Sequence, residues 1–553
     1  MSSASVVEHT FNVQNHKVNL QCREQNITAV NGQLPGPTIL VKEGDTLVVH
    51  VFNKSPYNIS IHWHGIFQLR TPWADGASYV TQCPIRPGQS YTYRFNVTGQ
   101  EGTLWWHAHL GFLRATVYGA LIIRPKHGQS AYPFAKPHKE IPILLGEWWN
   151  TSVVDIENWG LDFGVTPNIS NGYSINGKPG DLYPCSQNDM YKIEVEHGKT
   201  YMLRIINTAL NNQLFFKIAN HKMTVVAIDA AYTDPYDTDI VVTAPGQTVD
   251  VLIKADQLVG LYYMAARTYM SIPPEFLFLL YDKTITRAIF AYKGSKSKIP
   301  VMPALPDSFD SPTAHKFHTN MTGLAGGPNW VPVPLHVDEH MFMTVGVNIE
   351  PCPKDATCRG PLGGRLSSSI NNESFVLPQN ASMLEAFYYG NRSGVYTTDF
   401  PDNPPLTFDY TNAYFSFEES LIYAPKSTKA KKLKFNATVE IVFQNTAFLA
   451  VMSHPIHFHG FNFHVLAQGI GNYDAVEDRK KFNFVNPQIR NTIAFPPGGW
   501  AVIRFQANNP GIWFVHCHLE EHMNVGMSMA FEVESGPTPS STLPPPPSDL
   551  PKC

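Results

Sequence analysis

A chain of 553 residues has room for three or four domains, each with a core of its own. With 43% hydrophobic and 16% charged residues it has a folding composition, and 41 Lys and Arg against 45 Asp and Glu leave a net charge of −4, which offers no general attraction for nucleic acid or an anionic membrane. No apolar run comes near the ~18 residues of a membrane-spanning helix; EFLFLLY (275–281) is typical of the longest.

The N-terminus, MSSASVVEHTF, lacks the charged-then-apolar pattern of a signal peptide, and Met1 reads as an expression start in place of a removed signal. Two other features point to secretion. There are eleven Asn-x-Ser/Thr sequons, and six of the seven Cys fit an oxidised, disulfide-bearing protein. Beyond the N-terminus the chain reads as β. Short alternating or β-branched runs recur between Gly, Pro and Asn: TLVVHVFN (46–53), SYTYRFNV (90–97), YMLRIIN (201–207), TVDVLIKA (248–255), TVEIVFQN (438–445) and WAVIRFQA (500–507).

These runs repeat. PGQSYTYRFN (87–96) matches PGQTVDVLIKAD (245–256) and PGGWAVIRFQANN (497–509), and each is followed by a related segment: GTLWWHAH (102–109), GLYYMAAR (260–267) and GIWFVHCH (511–518). The fold class expected is therefore all-β, three copies of one domain over 1–130, 138–295 and 335–553. The Pro- and Ser-containing stretch 296–334 is the linker candidate. The basic run KAKKLK (429–434) reads as a solvated turn, and the Pro-rich tail ends in Cys553, which suggests that it is pinned by a disulfide. In copies one and three the end of the last segment carries His-x-His. In copy two it is Met264-Ala265-Ala266-Arg267. The middle copy keeps the architecture and lacks the chemistry.

Ten of the 22 His fall in four clusters: HWHG (62–65), HAH (107–109), HPIHFHG (454–460) and HCHLEEH (516–522). Two His two residues apart on a strand point to one face. The pairs His62/His64, His107/His109, His457/His459 and His516/His518 thus give eight imidazoles, more than one metal ion can use. A zinc hydrolase needs about three protein ligands and an open water position. Cys517, between His516 and His518, points the other way. With His454 and His522 it makes the two-His, one-Cys set of a blue-copper electron-transfer site, and Met527, ten residues on, is placed to return as the weak axial thioether. One strand then joins a one-electron acceptor to a multi-metal cluster.

The sequence resembles the multicopper oxidases, and among them plant laccases, over essentially its whole length. The resemblance rests on HWHGIFQLRTPWADGASYVTQCPI (62–85), GTLWWHAHLGFLRATVYGALIIRP (102–125), GEWWN (146–150), INGKPGDLYPC (175–185), HPIHFHGFNFHVLAQGIGNYD (454–474) and GIWFVHCHLEEHMNVGM (511–527). It implies three cupredoxin-like Greek-key domains and four copper ions. The type 1 copper takes His454, Cys517 and His522; the type 2 copper His62 and His457; the two type 3 coppers His64, His107 and His518, and His109, His459 and His516. The cluster spans domains one and three, so neither alone is active. By the same resemblance Asp75 and Glu520 are carboxylates that supply protons for dioxygen reduction. Asp229 and, less directly, Asp474 line the phenol pocket beside His522. Many plant laccases carry Leu at the axial position, and Met527 speaks against a high potential. The resemblance pairs Cys83 with Cys553 and Cys22 with Cys185, while Cys352 and Cys358 are close enough for a local loop.

The function expected is that of a secreted, extracellular enzyme of the plant cell wall (apoplast), monomeric, that takes single electrons from small phenols such as monolignols and passes four to O2, in lignin polymerisation. The rivals are an ascorbate oxidase or metallo-oxidase with the same coppers, and a non-catalytic cell-wall cupredoxin protein. The last should lack copper ligands, and here all eleven His and Cys positions are filled.

Overall fold

The computed structural model describes residues 4–128, 131–186, 189–273, 281–413 and 418–553. Met1 and residues 275–280 of the apolar run lie outside them. Among the described residues no helix is long and apolar enough to cross a membrane.

Three β-sandwiches follow one another. The first pairs two four-stranded sheets between Val6 and Arg124. The second pairs a six- and a five-stranded sheet between Lys139 and Tyr292. The third does the same between Glu339 and Val533, with an added two-stranded ribbon. The strands alternate as their sequences require: along Ser90–Asn96, Tyr91, Tyr93 and Phe95 are buried while Ser90, Arg94 and Asn96 face solvent. Each sandwich closes on its own apolar core.

The repeats occupy the same place in each sandwich. Ile61–His64 pairs with Gly102–Ala108, Gln213–Ile218 with Leu261–Tyr269, and Pro455–Phe458 with Gly511–Cys517, all antiparallel. The facing residues are His62 and His107, Lys217 and Ala265, and His457 and His516. Gly102–Ala108 and Gly511–Cys517 are buried at every position. One face of each packs into its sandwich, and the other closes the contact between sandwiches one and three.

Residues 296–334 run between the second and third sandwiches. They carry the helix Ser311–Thr319, whose Asp310 side chain caps it by accepting from the Thr313 amide, and Ala314 and Phe317 pack into the second core. The disulfides are Cys22–Cys185, Cys83–Cys553 and the local pair Cys352–Cys358, six positions apart, and Cys517 is the free thiol. The tail returns to the first sandwich, where Trp73 Nε1 donates to Pro544 O and Leu550 packs against the core. Eight of the eleven sequon asparagines are exposed. Asn53 is buried with its amide donating to Tyr57 O and Ile85 O, which leaves no room for a glycan.

Candidate metal centre

The facing strands of sandwiches one and three bring their imidazoles together. His62 stacks on His459 with ring centres 3.9 Å apart, and His64 on His457 at 3.7 Å. The second nitrogen of each ring fixes what the first can do. Nδ1 of His62, His107, His457 and His516 lies 2.7–2.9 Å from the main-chain carbonyls of Asp75, Ala108, Asn491 and Cys517. A carbonyl only accepts, so each of these Nδ1 atoms carries the proton and each Nε2 is a bare lone pair. His459 Nδ1 is held the same way, 2.9 Å from Asp75 Oδ2.

The bare nitrogens then face one another: His62 Nε2 and His457 Nε2 at 3.4 Å, His459 Nε2 and His516 Nε2 at 3.2 Å. Two lone pairs cannot hydrogen-bond, and a cation resolves the contact. His107 Nε2 is buried with no partner. Burial first, then neighbouring imidazoles and Arg114, holds His64, His107, His109, His457, His459, His516 and His518 well below the usual histidine range, so they stay neutral and able to ligate. Ligand atoms within 4.8 Å of one another group as His109/His459/His516, His62/His64/His107 and His62/His457/His459. The first is one of the expected type 3 sets. In the others His62 stands at the junction, and His518 approaches His64, Nε2 to Nδ1, at 3.2 Å.

On the opposite face of the Gly511–Cys517 strand, Cys517 Sγ lies 3.8 Å from His454 Nδ1 and 3.7 Å from His522 Nδ1, all three buried. Burial pushes the Cys517 thiol far up and His522 down to about 4. Such a thiol would lose its proton, released to solvent, on binding a thiophilic metal ion as thiolate. The Met527 carbonyl accepts from the Cys517 amide at 3.0 Å, and the Met527 side chain is fully buried in the same apolar cluster as Cys517.

Family models described as multicopper oxidase match residues 12–128, 139–295 and 399–537. The chain belongs to the multicopper oxidases and is of the laccase type. It is 59% identical to Laccase-7 of Arabidopsis thaliana, covering 100% of this chain and 97% of that protein. It is 55% identical to Laccase-24 of Oryza sativa subsp. japonica with the same coverage. Among solved structures it resembles the laccase from Botrytis aclada at 25% identity and a TM-score of 0.75, covering 98% of this chain and 89% of that one. The donors on both faces of the strand are those of one type 1, one type 2 and two type 3 coppers.

In this laccase Asp75 is an orienting group. Fully buried, it holds His459 through Oδ2 and His62 through its main-chain oxygen, and Oδ1 has no hydrogen-bond partner. The turn after it needs Gly76: at φ +86°, a Cβ would sit 1.8 Å from Ile61 O. Glu520 is buried too. Its Oε2 accepts from Arg114 Nε at 2.9 Å, its other oxygen has no partner, and burial raises its pKa against the pull of Arg114.

Arg114 is the residue the sequence reading missed. Its guanidinium donates to the carbonyls of Ala209, Leu210 and His518 and lies 2.9 Å from His518 Nδ1, so it ties all three sandwiches at the cluster. The available signal was an Arg inside the otherwise uncharged stretch GTLWWHAHLGFLRATVYGALII.

The two pocket aspartates require correction. The cavity beside His522 has a volume of about 840 Å³, and neither Asp229 nor Asp474 lines it. Asp229 is buried at 1% exposure, accepting from the Thr248 amide at 3.0 Å and paired with Arg490 at 3.4 Å. Asp474 is exposed and caps a turn by accepting from the amides of Val476 and Glu477. The carboxylates that line the cavity are Glu147, Asp282 and Glu521. Glu147, in GEWWN, accepts from the amides of Leu210 and Asn211 and from the Asn212 side chain, and so shapes the wall. Glu521, whose pKa burial and then Glu147 push up to about 7, lies 3.7 Å from His522 Nε2. A further cavity of about 720 Å³ reaches His109 from a side lined by Glu157, on the helix Val153–Phe163.

The middle sandwich has no ligands but does reach the cluster. Gly246, in its PGQ turn, has φ +93°, and a Cβ there would lie 3.0 Å from the rings of both His64 and His518. Gly246→Ala should therefore displace those two rings. The expected result is normal blue absorption with reduced type 2 and type 3 copper and at least about tenfold slower O2 consumption, the sensitivity of a preorganised site to a small misplacement. Parental copper content and rate in this variant would show that the turn is only a lid of convenience.

Proposed function

We propose that this laccase oxidises small phenols, including monolignols such as coniferyl and sinapyl alcohol, outside the cell, where the radicals couple into lignin. The observation that carries the reading is the cavity at His522. It exposes a type 1 ligand to a space of about 840 Å³, walled by Trp149, Ile272, Met452 and Leu519 for a ring and by Glu521 for a hydroxyl.

Bound copper supplies reversible one-electron chemistry at the type 1 site and pools four electrons for the reduction of one O2 to two waters. The chain does the rest. The cavity excludes water around the ring and holds it against the His522 edge. Glu521 accepts the phenolic O–H hydrogen bond. His522 and Cys517 share the type 1 site, and Cys517 is bonded in sequence to His516 and His518, so the route to the cluster is covalent. Each phenol loses one electron and one proton, and four phenols balance the four electrons and four protons taken by O2. Asp75 and Glu520, each with one carboxylate oxygen free of a hydrogen bond, stay the candidates for that proton supply. Three disulfides and the exposed sequons support an oxidising, extracellular setting for a chain that acts as a monomer.

The test is a panel on the copper-loaded protein: a methoxyphenol, ascorbate and ferrous iron. The phenol should have the highest kcat/KM; a higher value for either of the others would replace the phenol reading. Glu521→Gln should lower phenol kcat/KM about tenfold, the loss of one charge-assisted hydrogen bond, with unchanged blue absorption. An equal loss for a donor without a hydroxyl would assign Glu521 to general electrostatics instead.

A further inference from the structure

A cavity of about 560 Å³ opens between the helix Ser311–Thr319 and the edge of the third sandwich, and it shares Gln213, Tyr269 and Ser453 with the walls of the cavity at His522. Each volume alone falls within the usual ~300–1,000 Å³ of a ligand site, and the three shared residues place the two side by side. A single phenylpropanoid uses only part of that space.

The wall of the second cavity is chemically unlike the first. Three of its side chains hold a buried polar atom with no hydrogen-bond partner: His318 Nε2, Gln213 Oε1 and Gln468 Oε1. Among the described residues the cavity at His522 has one such atom, the shared Gln213 Oε1, and the cavity reaching His109 has one, Ser528 Oγ. A buried polar group left without a partner is destabilising, so three in one wall point to a hydroxyl-bearing ligand that meets them. His318 is 7% exposed and burial lowers its pKa to about 3, so its imidazole is neutral at ordinary pH and one ring nitrogen is free to accept. Between these acceptors the surface is apolar, with Pro312, Pro496 and Pro497 presenting flat faces of the kind that stack on an aromatic ring.

We propose that this cavity is a second substrate subsite, which takes the distal ring of a two-ring phenolic while the reacting ring sits at His522. The inference rests on the phenol-oxidase reading and extends it to the coupled product of the first round: a dimeric phenol, with methoxy and hydroxyl groups on both rings. The reaction at the first ring is unchanged, with one electron and one proton lost to leave a phenoxyl radical. The distal ring contributes binding only, its hydroxyls donating to Gln213, Gln468 and His318. An enzyme with this subsite prefers to reoxidise its own coupled products.

The test fills the subsite from its edge. Gln468 stands on the strand Phe463–Ile470, and its carboxamide oxygen has no bond to lose. In Gln468→Trp the ratio of kcat/KM for a two-ring phenol to that for a one-ring methoxyphenol should fall about tenfold, mostly through KM for the dimer, as expected when a hydrogen-bonded ring loses its place. His318→Gln should move the ratio in the same direction and by less. A ratio equal to that of the parent in both variants overturns the proposal. Binding separates this from the function itself. Calorimetry of the two-ring phenol itself, on the copper-loaded protein kept fully reduced and free of O2 so that no electron can leave the phenol, should show its Kd weakened in Gln468→Trp. An unchanged Kd sinks the subsite even if phenols turn over. A parent inactive on both phenols sinks the phenol reading, and the calorimetry still decides the cavity.

Discussion

Cys517→Ser should fold, lose its blue absorption and stop oxidising phenols. The side chain is fully buried in the core cluster of the third sandwich, and serine fits the space that the thiol leaves. His454 and His522 would remain, but a serine oxygen cannot supply the copper–thiolate bond on which the colour and the electron transfer depend. On the opposite face the imidazoles of the cluster are untouched, because Cys517 and its two His neighbours point in opposite directions from one strand. The variant should therefore keep three of the four coppers, with type 2 and type 3 signals present, while phenol-driven O2 consumption falls to background. Copper analysis, the visible spectrum and oxygen uptake measure the three parts separately. A serine variant that stays blue would falsify the type 1 assignment.

Arg114→Met should be the most destabilising single change near the cluster. Arg114 is 1% exposed, and with it go the partner of Glu520 and donors to the carbonyls of Ala209, Leu210 and His518. Removing one half of a buried ion pair typically costs about 3–5 kcal/mol, because the other charge stays buried without compensation. Lysine should not rescue it, since a single ammonium cannot make the forked contacts of a guanidinium. The double variant Arg114→Met/Glu520→Gln should regain part of the loss, the mark of coupling between the two. Urea unfolding of the copper-loaded proteins measures the stability, and copper retention reports on His518. A single variant as stable as the parent would mean that the guanidinium is not what joins the three sandwiches.

What could be read from the chain alone was what repeats or lies within a few residues. The three β-domains follow from the repeated strands and turns. The ten clustered His and Cys517 follow from spacing, because an interval of two on a strand fixes a shared face without any knowledge of the fold. For the same reason the opposed directions of Cys517 and its neighbours were legible, and the loss of ligands at Ala265 and Arg267 was visible by comparison with the matched segments.

The tertiary structure decided everything that depends on which faces meet. His62 finds His457, and His109 finds His516, only because sandwiches one and three close on each other across some 400 residues of chain, over which no local period carries information. The resemblance places Asp229 and Asp474 in the pocket. Asp229 is instead claimed by Arg490, 261 positions away, and Asp474 by the amides of its own turn. Glu521 faces the cavity because the short helix Glu520–Asn524 turns it there beside His522. Arg114 and Gly246 carry no motif at all. One is defined by carbonyls from two other domains and the other by the two imidazole rings it must clear, and such contacts exist only once the chain has packed.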